Sequence, residues 1–168
     1  MIKYYNSMVV FEEIPDEITL AINITNCPCH CKGCHSKFLW EDIGTELTSD
    51  ELRRLINEND GITCVCFMGG DANPKEIDNL ADVVITRSIF HEEPISIAWY
   101  SGKDELSDEI HLRRFKYIKI GHYDEELGGL DKETTNQRLY QVVVNNGKCD
   151  LEDITYKFWR KKNEKCNN

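Results

Sequence analysis

No stretch of the chain approaches the roughly 18 consecutive apolar residues that a membrane-crossing helix needs, so the sequence predicts no such span. The amino-terminal MIKYYNSMVVFEEIPDE has neither the apolar core nor the small-residue cleavage site of a secretory leader, and the expected location is cytoplasmic. Positive charge is scarce. The 20 Lys and Arg stand against 30 Asp and Glu, a formal net charge of −10. That balance argues against a nucleic-acid groove or an anionic membrane surface as partner. No internal repeat, no low-complexity segment and no convincing acid–base pair or nucleophile is present. A second CxxC pair is missing too, which bears on the metal chemistry below.

What is present is cysteine. The chain has 168 residues, 40% hydrophobic and 30% charged, proportions of a single globular domain over residues 1–168. Its eight cysteines, in a reducing compartment, point to metal or catalytic roles rather than disulfides. Cys27, Cys29, Cys31 and Cys34 crowd into NCPCHCKGCHSKFLW, directly after a strand-like run at 18–24. A loop leaving a strand end is aimed by a rigid element, and such loops carry function.

Four chemistries compete for these thiols. A structural four-cysteine zinc site takes two thiols from each of two knuckles; here Cys64 and Cys66 are one residue apart, and Cys149 and Cys166 stand alone. Cys31–Cys34–His35 spells the CxxCH of covalent haem, which belongs to exported proteins. A thioredoxin-like pair at Cys31 and Cys34 leaves Cys27 and Cys29 unexplained. The fourth reading takes Cys27, Cys31 and Cys34 as CxxxCxxC, three thiolates for three irons of a 4Fe–4S cluster. It leaves one iron open to a ligand, and Cys29 outside the set. Cys64 and Cys66 alternate with Val65, as small hydrophobes on one side of a buried strand would.

Along the chain, residues 1–14 form a β-rich amino-terminal extension of two short runs, an opening hairpin or edge strand. Thr48 to Glu51 has the capping-box pattern and opens a helix through Leu52, Leu55 and Ile56. Residues 62–67 are an apolar run typical of a buried parallel strand. Asn73–Pro74 caps a second helix, through Ile77, Leu80, Ala81 and Val84. Further strands are expected at 95–99, 117–120 and 139–144, a helical stretch around 106–115, and a helical tail over 150–168. Strands alternating with helices indicate an α/β fold with a parallel sheet. A complete eightfold barrel takes about 250 residues, so the expectation is a partial, open parallel (β/α) barrel with its site at the carboxyl ends of the strands. An open side suits a substrate that is itself a protein.

Four stretches, in order, resemble the activating proteins of anaerobic ribonucleoside-triphosphate reductase, members of the radical S-adenosylmethionine (SAM) superfamily. They are the Cys27–Cys34 loop with His35, Ser36, Lys37 and Trp40; Phe67–Met68–Gly69–Gly70–Asp71; Ile97–Ala98–Trp99–Tyr100–Ser101–Gly102; and Gly128–Gly129–Leu130 followed by Thr134–Thr135–Asn136–Gln137–Arg138. The resemblance implies a barrel of the radical SAM type and a glycyl radical-generating activase. Cys27, Cys31 and Cys34 would be cluster ligands, Gly69, Gly70 and Asp71 would bind SAM, and Ser101 and Asn136 would be further cofactor contacts. It implies the reductase as protein substrate and a one-electron donor such as flavodoxin. Activation of another glycyl radical enzyme, or a non-catalytic iron–sulfur or zinc module, is the alternative. Where the family shows aspartate-glycine, this chain has Ile120–Gly121, so the family's acidic contact is missing there; His122 is a candidate replacement or an ordinary surface histidine.

Overall fold

The computed structural model describes residues 1–89 and 94–159. In chain order its elements are β1 (Lys3–Val10), β2 (Thr19–Ile24), β3 (Thr45–Glu46), α1 (Ser49–Asn57), β4 (Cys64–Met68), α2 (Pro74–Ile89), β5 (Ser96–Tyr100), β6 (Tyr117–Ile120), β7 (Arg138–Asn145) and β8 (Lys148–Asp153). All eight strands join one sheet in the order β3-β1-β2-β4-β5-β6-β7-β8. Its centre, β2-β4-β5-β6, is parallel. Both flanks are antiparallel, so the sheet is mixed. Among the described residues no helix is long and apolar enough to cross a membrane.

The central strands are buried on both faces because they offer apolar or small side chains to each. Val65 and Phe67 of β4 pack with Leu52, Leu55 and Ile56 of α1 and Ile77, Leu80 and Val84 of α2. Cys64 and Cys66 point the other way, into a second core with Ile14, Ala98, Tyr100, Tyr117 and Leu139. Both thiols are fully buried, and burial pushes them well above the ordinary thiol range. The helices start where their caps are. Thr48 Oγ1 accepts from Glu51 N at 3.1 Å, and Asn73 Oδ1 from Glu76 N at 3.2 Å.

Four segments depart from expectation. The amino-terminal runs are one strand, with a register shift between Tyr4 and Asn6, and Asn23 Nδ2 donates to Asn6 Oδ1 at 2.7 Å across it. The 106–115 stretch has only a 3-10 turn at Leu112–Arg114, because tertiary contacts with α2 hold it. β7 returns antiparallel to β6, since the ends of the 121–137 connection meet rather than cross a face of the sheet. The expected helical tail begins instead as β8, paired with β7 through a two-residue turn. Asn146 and Gly147 there take φ of 48° and 81°, the left-handed pair that closes a tight hairpin. A 3-10 turn at Thr155–Phe158 follows, and Cys166 and residues 160–168 of the tail lie outside the described residues.

Asp78 of α2 explains the missing helix. Its fully buried carboxylate accepts from His111 N at 2.9 Å and lies 2.6 Å from His111 Nδ1, while Arg114 bonds the same group and reaches Asp82 at 2.7 Å. Burial alone would raise this carboxyl. The hydrogen bonds from His111 and the charge of Arg114 outweigh it and hold the group below its ordinary value. Asp78→Ala should cost roughly 1.5–3 kcal/mol in urea unfolding, the range for a hydrogen-bonded charge whose partners can still reach water. Because the folded carboxyl is the more acidic, its stabilisation is present above an unfolded value of about 3.9. It disappears as pH falls through the folded value. Wild type should therefore lose melting temperature below about pH 4 more steeply than Asp78→Ala; parallel profiles would show the clamp idle.

Candidate functional site

The carboxyl ends of β2, β4, β5 and β6 and the start of β7 share one edge of the sheet, and every residue singled out for the site lies there. Residues 26–40 leave β2 as a loop tied back by two backbone bonds, Asn26 N to Glu41 O and Cys27 N to Leu39 O, both 2.9 Å. Positive φ at Asn26 (60°), His30 (45°) and Gly33 (75°) turns it sharply enough to present all four thiols half-buried. The His30 ring stacks on Trp40 at 4.6 Å, which fixes the outer arm. Cys29 hydrogen-bonds Cys27 and draws its thiol down to about 6, while Cys27 pushes Cys29 up.

Cys29 is the thiol that reaches inward. Its Sγ lies 4.0 Å from Asp71 Oδ2, and a Cβ on Gly102 would come within 2.8 Å of it. Asp71 is held on both oxygens. Oδ1 accepts from Ser101 Oγ at 2.5 Å, and Oδ2 from Gly102 N at 2.8 Å. The Ser101 hydroxyl is thereby spent on Asp71 and on Lys103 N, at 3.0 Å, so Ser101 positions the carboxylate rather than offering a free hydroxyl. Gly69 and Gly70 take φ of 106° and 94°, which only glycine adopts without strain. The Gly69 N–H bonds Tyr100 O at 2.9 Å and its carbonyl accepts from Trp99 Nε1 at 2.8 Å. These glycines thus serve the sharp exit from β4 towards Asp71.

The 121–137 connection lies over the thiol loop. Glu125 pairs with Lys32 at 2.6 Å and sits where a Cβ on Gly33 would fall. Tyr123 meets His35 edge-on at 6.1 Å. Asn136 Nδ2 donates to His122 O at 3.0 Å, whereas its Oδ1 is buried with no hydrogen-bond partner. His122 is exposed, lies 2.7 Å from Asp104 Oδ1 through Nδ1, and lines an opening that it shares with Cys29 and Cys31. Two openings flank that pair. The larger, about 810 Å³, is lined by Asp71, Trp99, Ser101, Lys103 and Asp104 among others. A smaller one of about 340 Å³ lies beside Cys29, Cys31, Tyr123 and Glu125.

Lys119 was missed in the sequence. It lies on the face of β6 that Tyr117 shares, 7% exposed, and its ammonium bonds Gly121 O at 2.7 Å and Ser101 O at 3.2 Å. Burial lowers it to about 8, against the opposing charges of Asp71, Cys31, Cys29 and Asp104. A lysine alternating with buried residues in a central strand was the available signal.

Among the described residues no three His, Cys, Asp or Glu side chains are already arranged around one metal ion. The donor set nonetheless fits an iron–sulfur cluster by its chemistry. Four soft thiols share one loop, half-buried and reachable. The unpartnered Asn136 Oδ1 and the lone pairs left on Asp71 are acceptors suited to a polar cofactor beside them. A family model described as a 4Fe-4S single cluster domain matches residues 18–120, a span that includes the thiol loop, Asp71, Ser101 and Lys119. No protein of curated function and no solved structure matches the chain.

Proposed function

The chain belongs to the 4Fe-4S single cluster domain family, and from that premise we propose that it is a radical SAM activase. In this reading it cleaves SAM reductively and generates a glycyl radical on an anaerobic ribonucleoside-triphosphate reductase. The observation that carries the reading is the meeting of three separated motifs at one sheet edge: Cys29 of the thiol loop, Asp71 after β4, and Ser101–Gly102 after β5. Their order along the chain is the order that the activase resemblance requires. The four parallel strands and their covering helices support, in the same reading, a partial barrel of the radical SAM type.

Cys27, Cys31 and Cys34 would hold the cluster. The chemistry supplied there is one-electron cleavage of the SAM sulfonium to a 5′-deoxyadenosyl radical, the species that takes a hydrogen atom from glycine. Asp71, its two oxygens oriented by Ser101 and Gly102, would accept the ammonium of the methionine moiety. Asn136 Oδ1 would take a cofactor donor. Gly69 and Gly70 let the backbone turn beneath the cofactor. Phe38, Ile43 and Leu127 are exposed on the thiol loop, on the chain that follows it and on the connection above it. They give a protein substrate apolar surface on which to dock. The electron comes from outside the chain, from a donor such as flavodoxin.

The test is anaerobic reconstitution with iron and sulfide, then dithionite and SAM. The expected result is charge-transfer absorbance, 5′-deoxyadenosine, and a glycyl radical by electron paramagnetic resonance (EPR) on a candidate reductase. Zinc without iron would make the protein a binding module. SAM cleavage with no radical on any such reductase would shift the partner to another glycyl radical enzyme.

A further inference from the structure

Lys119 is a buried cation for which the proposed chemistry has no use. It occupies the carboxyl end of a central strand, on the sheet edge from which the thiol loop leaves, 7% exposed. Two of its three N–H groups go to the carbonyls of Gly121 and Ser101, and one is left. No carboxylate pairs with it directly among the described residues. The Ser101 whose carbonyl it bonds is the residue whose hydroxyl holds Asp71, and Gly102 next to it packs against Cys29. The nearest carboxylates that act on the ammonium, Asp71 and Asp104, do so without contact.

Burying an ammonium is costly unless an anion offsets it, and a strand end needs no charge for packing. Three thiolates carrying a 4Fe–4S cluster make an anion, and a one-electron reduction makes it more negative. A fixed cation in a low-dielectric site favours the more negative state. We propose that Lys119 is the buried counter-charge of the thiolate loop and raises the reduction potential of the cluster held there. The inference rests on the cluster part of the proposed function and not on the choice of SAM or of a reductase as substrates.

The test is an EPR-monitored potentiometric titration of the anaerobically reconstituted protein, with dithionite as the reductant. Lys119→Met should shift the reduced-to-oxidised ratio at fixed potential at least tenfold towards oxidised, a midpoint lower by ~59 mV for a one-electron couple. Lys119→Arg keeps the charge and should stay close to wild type. Lys119→Gln, made in parallel, retains a donor for the two carbonyls, so a folding defect peculiar to methionine does not decide the matter. An unmoved midpoint in either neutral variant with its cluster intact overturns the proposal. Loss of iron from both neutral variants but not from Lys119→Arg supports it. Equal loss from all three assigns Lys119 to tying β5 to β6 and overturns it. A wild-type protein that takes up no 4Fe–4S cluster sinks the cluster reading first, and this one with it.

Discussion

Cys31→Ala is expected to lose the 4Fe–4S cluster, while Cys29→Ala keeps it. In the CxxxCxxC set each thiolate serves one iron, so removing Cys31 leaves only Cys27 and Cys34, seven residues apart, and no compact trio. Iron, sulfide and visible absorbance should fall to background after anaerobic reconstitution. Cys29 has a different environment. It reaches Asp71 and lies against Gly102, contacts that Cys31 does not share, although both thiols line the smaller opening beside Tyr123 and Glu125. Truncating Cys29 removes its hydrogen bond to Cys27 and opens space at Gly102, changes that a loop held by Asn26, Cys27 and the His30–Trp40 stack can absorb. Equal iron loss from the two variants would mean that four thiols share the metal. Loss from Cys29→Ala alone would put the inward thiol in the ligand set and Cys31 outside it.

The parts of the fold legible in the sequence are those where local chemistry and tertiary environment agree. α1 begins at Thr48 and α2 after Asn73 because a side-chain oxygen caps the first free N–H groups, a purely local event. β4 announces itself as a run with no polar face, and both its faces are buried. The misses arise where a distant group decides. Residues 106–115 have helical spacing, yet Asp78, more than thirty residues away, takes the His111 and Arg114 groups and stretches the segment over α2. The β7–β8 hairpin is a different case. Asn146–Gly147 is a strong local turn signal, and the residues beyond it pair back along β7 where a helical tail is expected.

The site divides in the same way. Thiol spacing, the Gly69–Gly70–Asp71 exit and Ser101 are written in short motifs at strand ends, and the fold gathers them at one edge. Their roles are less legible. Ser101 reads as a cofactor contact, but its hydroxyl is spent on Asp71 and Lys103 N. Gly69 reads as a close approach to ligand, but β5 takes both its backbone groups. The alternation of Lys119 with buried residues marks it as inward-facing, but its partner Ser101 and the Gly33–Glu125 contact lie 18 and 92 residues away in sequence (119 − 101 and 125 − 33), and no local pattern names them.

Asp71→Ala is expected to weaken SAM binding by roughly tenfold to a hundredfold with the cluster intact. A hydrogen bond to a charged group contributes about 1.5–3 kcal/mol, and every 1.4 kcal/mol or so is a factor of ten in affinity. Asp71 has this capacity to spare. Ser101 Oγ and Gly102 N each take one lone pair, and the carboxylate still lines the 810 Å³ opening. A competing account makes Asp71 a staple alone, holding the β5 exit against the β4 exit. The two differ in what is lost. A staple lowers the melting temperature and leaves affinity to recover at low temperature; a ligand contact lowers affinity at every temperature at which the protein is folded. Asp71→Asn sharpens the comparison, since it keeps the shape and an acceptor but removes the charge that an ammonium would meet. Calorimetric titration of SAM into both variants, after iron and melting temperature are matched to wild type, decides between them. Unchanged affinity in folded, cluster-loaded Asp71→Ala takes Asp71 out of the cofactor site and leaves it a structural tie between two strands.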